Sequence, residues 1–358
     1  LKINALKTKL KSNAFKKLGV LMAILMMTSL FAGCGTKSAD QTAAQTPAPA
    51  ETATATAPAE KATVRIATLK GPTGMTMVQM MDNQEKGLTQ NNYEFSILGA
   101  PDEAVAKLTS GEADIICVPT NLAATLYAKT QGKVKMTSIN TLGVMYVLQR
   151  GDSNIKSLTD LKGKTVYSTG QGSTPEYVLN YLLEQNGLDP QKDLTIEYKA
   201  EHTELATLMA SGKADIAVLP QPFVTSVIAK NPDIHVVLDL TEEWAKVVGA
   251  DKPLAMSTTI VSTGFLEKHE AALQLFMDDL KASTAFTNQN LDDASALIEK
   301  YDIMPAAVAK AAIPECNMVY LEGAEMKTAA SNYLDVIAKA NPKSVGGQMP
   351  DDNFYYIR

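Results

Sequence analysis

This 358-residue chain is short of the side chains that most catalytic and anion-clamping sites use. Its three arginines stand at 65, 150 and 358. Arg65 falls inside a strand-like run, so a bidentate guanidinium clamp on a carboxylate or sulfonate is hard to build. Lys70 is the best-placed cation that remains. The three histidines, His202, His235 and His269, are isolated from any cysteine or carboxylate at metal-ligand spacing, so no metal site is expected. No Gly-x-Ser-x-Gly elbow or Cys–His arrangement occurs. Gly163-Lys164-Thr165 copies the end of a phosphate loop, but it precedes a strand and Leu158 stands where the first glycine belongs. Neither an enzyme nor a cofactor is indicated. The single tryptophan, Trp244, reads as an anchor of the second half of the chain.

Cysteine is nearly absent too, with residues 34, 117 and 316 the only three. Two thiols after Cys34 do not make a disulfide framework, and Cys117 lies in an apolar run that suits a buried free thiol. Cys34 is different. The 33 residues before it carry six lysines and no acid, and Leu18–Ala32 is apolar apart from Thr28 and Ser29. That run is short for a membrane span and right for a signal-peptide core. With small Ala32 and Gly33 before Cys34, the segment resembles a bacterial lipobox, although Phe31 stands where leucine is usual. The resemblance implies a signal peptide over 1–33 and a lipidated Cys34 on the outer face of the cell membrane. Residues 34–62, rich in Ala, Thr and Pro, offer little to bury and read as a disordered tether.

Without those six lysines the chain has 27 basic and 39 acidic residues, a net charge near −12. Such a chain lacks the basic footprint that nucleic-acid binding needs. The remaining length, about 300 residues, is too great for one compact core and implies two lobes.

A repeat supports this. Ser110-Gly-Glu-Ala-Asp-Ile-Ile-Cys-Val-Pro119 aligns with Ser211-Gly-Lys-Ala-Asp-Ile-Ala-Val-Leu-Pro220, six identities in ten at an offset of 101. The same offset sets Gly71-Pro72-Thr73 over Gly172-Ser173-Thr174. A period this long means a duplicated domain rather than a solenoid. Each copy alternates strand and helix: strands over 64–69, 93–98, 134–140 and, in the second copy, 165–169, 194–198, 235–240. A buried strand ends at Pro119 or Pro220. The expected fold is α/β, each lobe a mostly parallel sheet flanked by helices. Strands over 144–149 and 255–262 read as crossings between lobes. Lobe I is then 63–146 with a helical return over 257–358, and lobe II is 147–256.

In open α/β sheets a ligand lies beyond the carboxyl ends of the strands. Four such ends carry Gly71, Pro72, Thr73 and Gly74; Thr120 and Asn121; Gly172, Ser173 and Thr174; and Gln221 and Pro222. Their hydroxyls, and helix N-termini with free N–H groups, suit a small polar or anionic molecule in a shared cleft. Met75 is the methionine nearest the loop; Met77, Met80 and Met81 read as core.

The tether, the Ser-Gly-x-Ala-Asp-Ile runs, Leu161-Lys-Gly-Lys-Thr-Val166 and Gly172-Ser-Thr174 together resemble a substrate-binding lipoprotein of an ABC importer. The nearest group binds alkanesulfonates, taurine, nitrate or the pyrimidine precursor of thiamine. The resemblance spans about 63–358 and implies a type II periplasmic-binding-protein fold, acting as a monomer that delivers its ligand to ABC permease subunits. Leu219-Pro-Gln-Pro-Phe223 is similar to a Pro-Glu-Pro-Phe segment of that group, with Gln221 in place of the acid. An enzyme or sensor on the same fold, acting on a pyrimidine-like molecule, is the alternative.

Overall fold

A computed structural model describes residues 61–152 and 154–358. The targeting segment, Cys34 and the tether through residue 60 lie outside the described residues. Eleven strands are described: β1 (Thr63–Leu69), β2 (Asn92–Leu98), β3 (Ile115–Pro119), β4 (Val134–Thr141), β5 (Met145–Arg150), β6 (Thr165–Thr169), β7 (Thr195–Lys199), β8 (Ile216–Pro220), β9 (Ile234–Asp239), β10 (Ser257–Ser262) and β11 (Met318–Leu321). They form two sheets, ordered β2-β1-β3-β10-β4-β11 and β7-β6-β8-β5-β9.

The duplication is visible in that order. Each copy lays its second, first and third strands side by side and parallel. Each then receives a strand that follows the other copy. β5 enters the second sheet antiparallel between β8 and β9, and β10 enters the first between β3 and β4. The four strands of each copy point one way, yet both sheets are mixed. The crossing strands are central and not at an edge. β11 adds an antiparallel edge to the first sheet. It is too short for its alternation to stand out in the sequence.

Burial explains the elements. Ile115–Val118 and Ile216–Leu219 are buried throughout, as strands covered on both faces must be. The helix Thr263–Gln289 lays Leu273, Phe276, Met277 and Leu280 on one face of the first sheet, against Val64, Ile66, Met77 and Met80. Each such side chain contributes about 1.5–3 kcal/mol by leaving water. A second cluster, Leu205, Met209, Val224 and Val227, covers one face of the second sheet. A third runs through both lobes and includes Val118 and Ile139 of one sheet with Val147 and Val166 of the other.

Trp244 belongs to that shared cluster. It sits on the helix Leu240–Val248, 1% exposed, with its Nε1–H donating to the Lys252 carbonyl at 2.9 Å. Its ring lies 5.5 Å from Tyr181 of the second lobe and 5.8 Å from Tyr333 on the returning helix Gly323–Ala340. The residue therefore anchors the second lobe to the first. Cys117 and Cys316 are buried free thiols, and burial pushes them up to about 11 and about 12. Among the described residues no helix is long and apolar enough to cross a membrane, and no group of three or more potential ligands could hold a metal ion.

Candidate functional site

A cavity of about 100 Å³ lies between the sheets. Its lining comes from the carboxyl ends of β1, β3 and β4 and the segments just after β2, β6 and β7, joined by Pro220, Val144 and Ser257. Both copies thus contribute at corresponding places. The rim is narrow: a β-carbon on Gly99 would come within 3.3 Å of the Glu201 carboxylate on the facing lobe.

Of the residues singled out in the sequence, Gly71, Pro72, Thr73, Ser173, Thr174 and Gln221 line the cavity. Thr73 is 4% exposed and its hydroxyl makes only long contacts, 3.4 Å, back to the Leu69 main chain. Gln221 turns its Oε1 to the Thr225 N–H and hydroxyl, at 3.2 and 2.9 Å. Its amide nitrogen therefore remains for other partners.

Six of the twelve stand outside the lining. Gly74 packs under the turn, where a β-carbon would meet the Leu69 carbonyl oxygen at 2.7 Å. Met75 is fully buried against Ala294, Ile298 and Ile313. Gly172 donates its N–H to the Glu176 carboxylate, and Pro222 precedes the helix Phe223–Lys230. Thr120 and Asn121 are buried and do not reach the lining. Asn121 holds the lobes together instead. Its Oδ1 accepts from the Thr174 hydroxyl at 3.0 Å and its Nδ2 donates to the Ser344 carbonyl at 3.1 Å. The Tyr333 hydroxyl donates to Thr174 at 3.1 Å. This buried chain of hydrogen bonds ties the second lobe to the first.

The cavity also holds residues that sequence reasoning set aside. His202, judged isolated, lines it. Thr169, the last residue of β6, comes within 2.7 Å of His202 Nδ1. The imidazole rests on Phe223, centroids 5.2 Å apart, and desolvation pushes it down to about 4. It is a neutral ring at ordinary pH. The offset of 101 gave a usable signal, because it sets His202 over Pro101 and both line the cavity. Lys70 lines it as well, with Nζ 3.3 Å from an Asp302 carboxylate oxygen.

Known proteins share this architecture. An ABC transporter from Parabacteroides distasonis superposes with a TM-score of 0.67 at 24% identity, covering 83% of this chain and 99% of that one. The periplasmic aliphatic sulphonate binding protein SsuA of Escherichia coli gives 0.64 at 19% identity, over 81% and 93%. The alkanesulfonate-binding protein SsuA of Xanthomonas axonopodis pv. citri, bound to MOPS, gives 0.66 at 14%, over 84% and 100%. These likenesses establish a two-lobed binding-protein fold. A binding protein of Bacillus subtilis, YtlA, is 24% identical over 207 residues, 56% of this chain and 59% of that relative. The match therefore spans little more than half the length of that curated relative.

Residues 76–303 match the family described as ABC transporter, phosphonate, periplasmic substrate-binding protein, and the chain belongs to that family. That family is one of substrate-binding components of ABC transport, and the enzyme-or-sensor alternative is not favoured.

Proposed function

We propose that this protein is the ligand-capturing lipoprotein of an ABC importer. In this reading residues 1–33 direct export, Cys34 carries the lipid, and residues 34–62 tether a monomeric body to the outer face of a bacterial cell membrane. Lobe I (63–146 and 257–358) and lobe II (147–256) close on a small polar or anionic molecule. Gly71, Pro72, Thr73, Ser173, Thr174 and Gln221 contact it, and the closed form docks on the permease. Differential affinity for closed over open lobes drives the cycle.

One observation carries the reading: the cavity between the sheets is lined from equivalent strand ends of both copies. Small-angle scattering with and without ligand tests it, and closure predicts a smaller radius of gyration on binding. A radius unchanged by every ligand that raises the melting point would refute lobe closure. Cys34→Ser is expected to move the exported protein from the membrane fraction to the soluble one. Retention of the variant on the membrane would refute the lipid anchor.

A further inference from the structure

Five buried polar side chains line the cavity: Thr73, Thr141, Ser173, Thr174 and Gln221. Three of them spend their hydroxyl hydrogens inside the protein. Thr141 donates to Asn140 Oδ1 at 3.4 Å, Ser173 to the Gly170 carbonyl at 2.7 Å and Thr174 to Asn121 Oδ1 at 3.0 Å. Thr73 has only its long contacts to the Leu69 main chain. The Gln221 amide nitrogen has no partner among the described residues. One free donor thus comes from each lobe.

The helix after Gln221 fixes which end of its amide is free. The first N–H groups of a helix lack carbonyl partners. In the helix Phe223–Lys230 one of these, the Thr225 N–H, is satisfied by Gln221 Oε1. A main-chain N–H can only donate, so the oxygen must face it and the nitrogen must point away. Gln221 is only 5% exposed, and a buried donor is costly to leave unpaired.

Fixed cations do not take over this task. Arg65 grips Asp114, with Nε 2.9 Å from Oδ2 and Nη2 2.6 Å from Oδ1. Arg150 pairs with Asp215, and Arg358 with Glu322 and Asp278, both at 2.8 Å. All three arginines stand outside the lining. Lys70, its one lysine, lies 3.3 Å from Asp302, while Glu201 is an exposed carboxylate at the rim. Recognition inside the cavity therefore falls to neutral donors. Hydrogen bonds from such donors to an ionised oxygen are roughly twice as strong as those to a neutral one.

We infer that Gln221 is the specificity-determining residue of the cleft: its amide nitrogen, with the Thr73 hydroxyl on the facing lobe, donates to the oxygens of an anionic head group. Leu69, Val144, Phe223 and Met256 supply apolar wall for a short body behind that head group. The inference rests on the cleft being the ligand site proposed above, and it narrows that ligand to an oxyanion. A head group that accepts from both lobes also favours their closure.

The test uses the exported protein with methyl- to butylphosphonates and the matching alkanesulfonates. The corresponding alkanesulfonamides serve as uncharged controls. Titration calorimetry and melting-point shifts read affinity, and mass spectrometry identifies any small molecule carried through native purification. Gln221→Glu keeps one oxygen for the Thr225 N–H and turns the other, charged, toward the ligand. Its ligand-free melting point is expected within about 2 °C of wild type. Its affinity for the best-binding anion is expected to fall about a hundredfold or more. Gln221→Met loses the helix contact and the donor together, giving a lower melting point and about a tenfold loss of affinity. Anion affinity then runs Gln, Met, Glu, whereas stability puts Met last, a split that a merely structural side chain would not produce. Equal anion affinity in wild type and Gln221→Glu overturns the assignment to Gln221 and leaves the cleft as a ligand site. A sulfonamide that binds as tightly as its sulfonate, or release of an uncharged or cationic molecule, overturns the oxyanion class. If no probe binds and nothing is released, the cleft as a ligand site falls, and the class with it.

Discussion

The two copies share strand order and the cavity edge, yet the same residue at equivalent positions does different work in each. Asp114 and Asp215 are the repeated aspartates of the Ser-Gly-x-Ala-Asp runs. Asp114 is 7% exposed and accepts from the guanidinium of Arg65 on the adjacent strand and from the Arg65 main-chain N–H at 3.0 Å. Asp215 has a side chain 71% exposed, paired with Arg150 of the incoming β5. Thr73 and Thr174 diverge likewise: the first is nearly unengaged at the cavity, while the second is a strut between lobes. Duplication preserved the backbone and released the side chains to specialise, because a turn constrains φ and ψ but not what lies across from it.

The largest expected contrast is between the aspartates. Asp114→Ala strands a partly buried guanidinium and should cost about 2–3 kcal/mol in urea unfolding. Asp215→Ala removes a solvent-exposed pair and should cost below about 1 kcal/mol. Equal losses would erase the distinction between the copies.

The crossing from β4 to β5 comes next. A β-carbon on Gly143 would fall 2.9 Å from the Thr241 β-carbon of the second lobe. Gly143→Ala should oppose closure and weaken ligand binding roughly tenfold, by overpacking of about 1–3 kcal/mol. Scattering that still shows full compaction with ligand would contradict this.

A finer contrast separates the threonines. Thr174→Ala leaves Asn121 and Tyr333 each short of a buried partner and should lower stability by about 1–2 kcal/mol even without ligand. Thr73→Ala should change ligand affinity and leave the ligand-free melting point within about 1 °C, because its buried hydroxyl gives up only two long 3.4 Å contacts to Leu69. A matching drop in both variants would mean the network is not a strut.

The last contrast is in pH. His202 has its folded value lowered from 6.5 to about 4, so the unfolded chain takes up this proton first as pH falls. Its contribution is therefore fully present above about 6.5 and is lost on the way down to 4. Pro101 at the equivalent place in the first copy cannot titrate. The melting point of wild type should fall more between pH 7 and 4.5 than that of His202→Phe. Parallel curves would remove the histidine from the account.

Much of the fold was legible in the chain. Apolar runs bounded by glycine and proline marked the strands, and the offset of 101 paired them. In the helical return, apolar periodicity predicts helices over 264–286, 291–301, 306–312 and 324–340, and the structure has Thr263–Gln289, Leu291–Lys300, Ala306–Ala312 and Gly323–Ala340. The helix Leu240–Val248 and the edge strand β11 did not stand out. Both are short, and long-range packing holds them: Trp244 on Tyr333, and Met318 beside Thr141.

By itself, then, the sequence determined the duplication, the alternation of elements and which strand ends turn through glycine, proline and threonine, because these follow from local periodicity and backbone preference. Only the tertiary structure decided that β5 and β10 would change sheets, that Thr174 would bond Asn121, that the arginines would be consumed away from the cavity, and that His202 would face it. Those choices depend on contacts between residues more than 30 positions apart, which no local pattern encodes.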